Sequence, residues 1–406
     1  MIHFFNPGHE TAVLNESQYY MAPANVVAMQ QELALLPAWY ASDSDWVFVW
    51  NEDDKRYCDS IFNLFDRKIN VFSEKDIPLY HHELKCQEVI LWGVSPQAIF
   101  FWEQLSEKYS LDLNIPKWDR NYRHLCSRNF ANLILKEIIE KTGGDNFIIP
   151  RFVSSLSEVE NILSSEHGRF LAKAPYSSSG RGLLWLPEIE LTRTERQILT
   201  GMLKKQGEVS IEPVLNKKMD FAMEFMVTEN VVNFEGYSVF STNNKGAYIG
   251  NIVDCQSELE RKLTAYVDKS IFDNIKHILI ELLQKYVSAY YQGCIGVDMM
   301  IIEKDGKYLV HPCLEVNMRY NMGYLSLKLF ENYIGADSNA FFQIDFSLKK
   351  DEILKKHQEM SENMPLNVRK SRITEGYLSL CPITENSKYH AYMIVRKRED
   401  NYSPEA

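Results

Sequence analysis

Residues 314–323 read LEVNMRYNMG. Glu315, Asn317 and Arg319 alternate with Leu314, Val316 and Met318, and a period of two marks a β-strand with two unlike faces. The preceding stretch, GVDMMIIEKDGKYLVHPC (296–313), supplies a partner, because Asp305-Gly306 between apolar runs is a two-residue hairpin signal. Pairing Lys304 with Lys307 sets Ile302 opposite Leu309, Met300 opposite His311 and Asp298 opposite Cys313. Glu315 is then the diagonal neighbour of Asp298, about 7–8 Å away at Cα. Asn317 extends this polar face. Val297, Met299, Ile301, Val310, Leu314 and Val316 form the opposite, packing face.

Two carboxylates and an amide oxygen on one sheet face suit Mg²⁺, which takes oxygen ligands and commonly shares them with substrate phosphates. Without a cation, carboxylates this close repel. Alternation alone also describes a solvated polar face, but the lysine and threonine usual on such a face are missing from it. Arg319, read as projecting from the same strand face, follows the acidic pair. It could stabilise a transferred acyl phosphate, or serve as a structural ion pair. Cys313 reads as a small buried filler, and His311 as a packed or solvent-facing histidine, with a place near the metal as the alternative.

AKAPYSSSGRGL (172–183) places Lys173 at the end of an apolar strand, before a loop of small residues. Ser178, Ser179, Gly180 and Gly182 would let backbone N–H groups approach phosphate oxygens, with Lys173 as a point charge. A flexible surface loop has the same composition, and the stretch matches neither GxxxxGK[ST] nor GxGxxG. In SIEPVLNKKMDF (210–221), Ile211 to Leu215 could be a strand edge whose backbone meets a purine, with Asp220 near a ribose hydroxyl. Core strands look similar.

The chain has 406 residues and a formal net charge of −11. It is long enough for two or three domains, and its acidity argues against broad nucleic-acid binding, which needs a basic face. Seven cysteines without a CxxC pair fit reduced thiols in a cytoplasmic protein. No run is long and apolar enough to span a bilayer. Residues 1–118 alternate strands (IHFF, DWVFVW, KINVF, EVILWG) with helix-like stretches, a rhythm that predicts a parallel α/β unit. Helices are expected near 129–142 and 268–290. Asn6, His9 and Glu10, in the loop after the first strand, are candidates for contacting an acceptor substrate, or form a capped turn opening a helix.

Taken in order, the strand lysine, the glycine-rich loop, Glu-Pro-Val-Leu, and the Asp298 hairpin ending in ExNxR resemble the ATP-grasp superfamily over about residues 120–330, roughly half the chain. The resemblance implies an ATP-grasp fold, two α+β subdomains sandwiching ATP, preceded here by an α/β Rossmann-like N-terminal domain. The expected division is 1–118, 119–208 and 209–330, with a C-terminal extension at 331–406. It implies ATP and Mg²⁺ as cofactors, with Asp298, Glu315 and Asn317 on the metal. Lys173 and the SSSGRG loop would lie on the phosphates. Glu212, Pro213, Val214 and Leu215 would form the adenine hinge, and Asp220 would meet the ribose. The family's usual lysine ahead of the first helix is replaced by Arg128, and Pro213 removes one hinge N–H. The implied activity is that of a carboxylate–amine ligase working through an acyl phosphate, with Lys173 and Arg319 as catalytic residues. Its substrates would be a small-molecule or peptide carboxylate and an amine, and a homodimer is an assembly open to it. A phosphotransferase acting on a hydroxyl and a non-catalytic ATP-binding protein are the alternatives.

Overall fold

The computed structural model describes residues 1–145, 148–177, 180, 182–188 and 190–398. The chain divides into two compact units. The first comprises residues 1–118, 250–259 and 319–406, and the second residues 119–249 and 260–318.

In the first unit, β1 (Ile2–Phe4), β2 (Trp46–Phe48), β3 (Asn70–Phe72) and β4 (Val89–Leu91) form a parallel sheet in the order β3-β2-β1-β4. These short apolar runs are strands because parallel pairs buried by crossover helices need no polar face. Phe4, Phe48, Phe72 and Leu91 pack with Trp102 of helix Pro96–Tyr109. That helix starts where the side chain of Ser95 accepts the Ala98 N–H, with Pro96 in its first turn. Downstream, the same unit holds an antiparallel set in which Tyr389–Lys397 pairs with both Ser338–Phe346 and Arg372–Ser379.

The second unit contains two antiparallel sheets. The smaller is built from β5 (Arg151–Val153), β6 (Phe170–Lys173), β7 (Leu183–Trp185) and β8 (Val209–Pro213), in the order β5-β8-β6-β7. The larger carries β9 (Lys217–Thr228), β10 (Val231–Thr242) and the two hairpin strands. In it, the Glu315 strand (Lys307–Asn317) pairs with the Asp298 strand (Gly293–Lys304), which pairs with β9, and β9 with β10. Helices Arg128–Thr142 and Lys269–Tyr286 supply buried apolar faces to this unit. The first is capped by Ser127 and stopped by Gly143 at φ 69°.

Asp305 and Gly306 have φ of 51° and 72°, the pair of left-handed residues that a type I′ hairpin turn requires. Lys304 pairs with Lys307, Ile302 with Leu309 and Met300 with His311, as the turn predicts. The register then shifts, so that Asp298 lies opposite Glu315 rather than Cys313. Pro312 explains the correction: without an N–H it cannot continue the ladder, and strand prolines sit at bulges. A shift of two residues preserves the alternation of faces. Val297, Met299, Ile301 and Val316 are buried, Val310 and Leu314 are half-buried, and Asp298, Glu315 and Asn317 remain partly accessible.

Among the described residues, no helix is long and apolar enough to cross a membrane.

Candidate functional site

The second unit gathers most of the sequence-derived residues into one polar cluster. Lys173 ends β6, and β6 pairs with β8 so that Lys173 stands opposite Ser210, with Glu212 its diagonal neighbour. Lys173 Nζ lies 2.5 Å from Glu212 Oε2, with both side chains about nine-tenths buried. Ser210 Oγ donates to the other Glu212 oxygen at 3.1 Å. Burial pushes the Glu212 carboxyl up, but Lys173, then Arg128 and His311, more than offset this and hold it below the usual carboxylate range.

Arg128 opens the helix behind the loop. Its backbone N–H donates to Pro175 O at 3.0 Å and its Nε to Ala174 O at 3.2 Å. Its guanidinium also reaches the Glu315 strand, 2.9 Å from Glu315 Oε2. One arginine therefore ties the backbone after the strand lysine to the acidic face of the hairpin. A guanidinium can do this because its donors form a planar fork.

Asp298 and Glu315 face each other across the ladder, and Asn317 follows on the same strand. These donors are all oxygens, which suits a hard cation. Among the described residues no group of three or more His, Cys, Asp or Glu is placed to hold a metal ion. A hard cation on this face would have to complete its shell with oxygens from outside the protein, such as water or phosphate.

His311 is buried, and burial lowers its imidazole to about 4, with Glu212 opposing and Lys173 reinforcing. It is therefore a neutral histidine at pH 7, not a solvent-facing one. Cys313 is also buried, its Sγ donating to Ala131 O at 3.5 Å, and burial drives its thiol far up, as a filler requires.

Gly180 (φ 76°) could not carry a side chain without strain, since a Cβ there would approach Gly246 O to 2.9 Å. A Cβ on Gly182 would strike Ser177. Ser178 and Ser179, expected on the phosphates, lie outside the described residues.

The hinge expectation needs two corrections. Residues 211–215 are not one strand: β8 ends at Pro213, with Ile211 paired to both β5 and β6, whereas the register with β5 stops there and Glu212 and Pro213 pair with β6. Val214 and Leu215 lie past its end, and the Val214 N–H is already given to Arg169 O at 2.8 Å. Asp220 is buried and held by Lys217 (2.6 Å) and Thr242 (2.7 Å). Lys217, Thr242 and Ser210 were not singled out from sequence. Ser210 had a signal, its i,i+2 spacing from Glu212 on a strand, whereas Thr242 comes from a neighbouring strand and had none.

Arg319 is also corrected. The strand ends at Asn317, so Arg319 does not project from it. It belongs to the first unit, where its Nε donates to Glu10 Oε1 at 2.5 Å. Burial raises the Glu10 carboxyl, but Arg319 and His9 overcome it and hold the group at about 2. Burial also lowers His9 to about 4. Asn6 clasps Gly93, donating to its O at 2.6 Å and accepting its N–H at 3.1 Å, so its side chain fixes the backbone between β1 and β4.

No protein-family model and no curated protein matches the chain. Solved structures do. Biotin carboxylase from Campylobacter jejuni, in a β,γ-ATP complex, is 9% identical with a TM-score of 0.51, covering 98% of this chain and 87% of that one. The biotin carboxylase domain of 2-oxoglutarate carboxylase from Hydrogenobacter thermophilus, with MgADP, ADP and bicarbonate, is 11% identical with a TM-score of 0.49, covering 97% and 85%. N5-carboxyaminoimidazole synthetase from Staphylococcus aureus, with ADP, is 13% identical with a TM-score of 0.47, covering 97% and 92%. The likeness to the Campylobacter enzyme extends along nearly the whole chain and supports the ATP-grasp expectation at the level of fold.

Proposed function

We propose that this protein is an ATP- and Mg²⁺-dependent ligase of ATP-grasp type, which activates a carboxylate as an acyl phosphate for attack by an amine. The observation that carries the reading is Arg128, bonded at once to Ala174 and Pro175 after the strand lysine and to Glu315 of the hairpin. A site for a triphosphate and its metal needs cationic donors on one wall and oxygen ligands on the other. Lys173 and Arg128 supply the first, and Asp298, Glu315 and Asn317 the second. The grasp subdomains would be 119–208 and 209–330.

Mg²⁺, when bound, would neutralise charge on the triphosphate and help align its terminal phosphate. The protein's own groups do the rest. Glu212 keeps Lys173 oriented and provides its counter-charge, and Arg128 is poised to exchange Glu315 for phosphate oxygens. Gly180 and Gly182 allow close approach of the loop backbone. His311, neutral and buried, adds shape without charge. Asp220 would meet the ribose, and residues 212–215 would line the adenine. The β,γ-ATP complex of the similar Campylobacter structure supports the nucleotide part of the reading.

The test is a phosphate-release screen with ATP, Mg²⁺ and paired carboxylates and amines, peptides included. A ligase releases phosphate only when both acceptors are present. Phosphorylated alcohols without free phosphate would replace the ligase reading with the phosphotransferase one.

A further inference from the structure

The chain leaves β6 at Lys173 and re-enters the sheet at Leu183 of β7. Residues 174–176 run past the end of the strand, yet every backbone donor and acceptor in them is engaged. The Ala174 N–H donates to Gly182 O at 2.9 Å, and Ala174 O accepts from Arg128 Nε at 3.2 Å. Pro175, which has no N–H, accepts the Arg128 N–H at 3.0 Å. Tyr176 gives both of its groups to one side chain. Its N–H donates to Gln206 Oε1 at 2.8 Å, and its O accepts from Gln206 Nε2 at 3.1 Å.

Such a clasp needs a donor and an acceptor side by side, which an amide has and an ammonium or ionised carboxylate lacks. Gln206 can make it because its own place is fixed. It is the last residue of helix Arg193–Gln206, which is capped by Thr192 with Glu195 and stopped by Gly207 at φ 84°. Leu199 of that helix is fully buried in one core with Ala172 of β6 and Ile211 of β8. The Tyr176 ring is held as well, with the Arg123 guanidinium 5.7 Å from its centroid.

The clasped segment is the floor on which the returning arm lies. A Cβ on Gly182 would strike Ser177 and come within 3.2 Å of the Ala174 side chain, so Gly182 sits flush against it. Arg128 grips the same segment through Ala174 and Pro175, and Lys173 immediately precedes it. We propose that Gln206 is a positioning residue for nucleotide phosphates. By clasping Tyr176 it sets the backbone that leaves Lys173, and with it how Gly182 and the Arg128 guanidinium meet the phosphates. This role rests on the ATP reading above.

The test uses Gln206→Met in the full-length chain, a change that keeps side-chain length and helix propensity and removes the donor and the acceptor. The first measurement is amide hydrogen exchange without nucleotide, followed by mass spectrometry over residues 174–177. Released from Gln206, the Tyr176 amide should exchange at least about tenfold faster, while β8 keeps its wild-type rates. The second is displacement of a fluorescent ATP analogue by ATP and by adenosine in the presence of Mg²⁺. Gln206→Met should weaken ATP about tenfold and adenosine less than about twofold, since adenosine has no phosphates to place. Unchanged exchange at Tyr176 would overturn the clasp itself. An unchanged ATP affinity despite faster exchange would overturn the positioning role, and so would an equal loss for adenosine, which marks general support of the fold. A wild-type chain that binds no ATP would instead overturn the ATP reading, and this role with it, before any variant is made.

Discussion

Replacing Glu212 by glutamine should destabilise the protein far more than a surface change, because it strands Lys173. The two charges are 2.5 Å apart, with side chains only 9% and 12% exposed. At an effective dielectric of about 20, a contact that close is worth about 6–7 kcal/mol before desolvation is counted. Desolvation offsets much of that, but Glu212→Gln leaves the desolvation of Lys173 in place and removes the attraction. Losing one partner of a buried pair typically costs about 3–5 kcal/mol, and Arg128 beside the same carboxyl pushes the figure up rather than down. The double variant Lys173→Met, Glu212→Met removes both charges and should cost about 1–2 kcal/mol at most. The sign with pH follows from the depressed Glu212 pKa. The contribution is full above the ordinary carboxylate range and fades as pH falls through it and below. Urea unfolding followed by circular dichroism, for wild type, Lys173→Met, Glu212→Met and the double variant, would give the coupling energy, with Glu212→Gln measured beside them. A Glu212→Gln loss under about 1 kcal/mol, or additive single losses, would refute the claim that this pair is a coupled unit.

Two further outcomes follow from the geometry. Arg128→Ala removes the links to Ala174 and Glu315, so ATP affinity measured by calorimetry should fall about tenfold or more; unchanged affinity would remove Arg128 from the phosphate site. Glu10 is held at about 2 in the folded chain against an ordinary 4.5, a depression that contributes about 3 kcal/mol above pH 5 and is lost as pH falls from about 4.5 to 2. Glu10→Gln should therefore lower stability at pH 6 and flatten the acid limb of a denaturant-stability profile over that range, whereas an acid limb identical to wild type would contradict the buried pairing with Arg319.

Much of this was legible because local rules and the fold agree. Asp305-Gly306 set the hairpin register through Met300 and His311, and the alternating faces of that hairpin survived the shift at Pro312 because it spans two residues. The parallel sheet of the first unit was readable from short apolar runs, which only a doubly covered sheet tolerates. What was missed is non-local. A strand was carried through to Arg319 from periodicity alone, but Glu10, a carboxylate some three hundred positions earlier, claims that guanidinium. Nothing in residues 211–215 announces that Ile211 is paired on both sides while Glu212 and Pro213 pair with β6. Pro213 was the clue to where β8 ends, just as Pro312 was the clue to the bulge. The cluster around Glu212 needed the pairing of β6 with β8, which no window of sequence contains.

The central claim is that the Asp298–Glu315 face and the cations Lys173 and Arg128 form one Mg²⁺–ATP site. Calorimetric titration of ATP, with and without Mg²⁺, into wild type and Asp298→Asn tests it most directly. Asp298→Asn is used because it leaves the Arg128–Glu315 ion pair in place. The account predicts that wild type binds ATP more tightly with Mg²⁺ than without it, and that Asp298→Asn loses most of that difference while keeping the metal-free affinity. An ATP affinity in wild type indifferent to Mg²⁺, or a Mg²⁺ dependence untouched in Asp298→Asn, would contradict it.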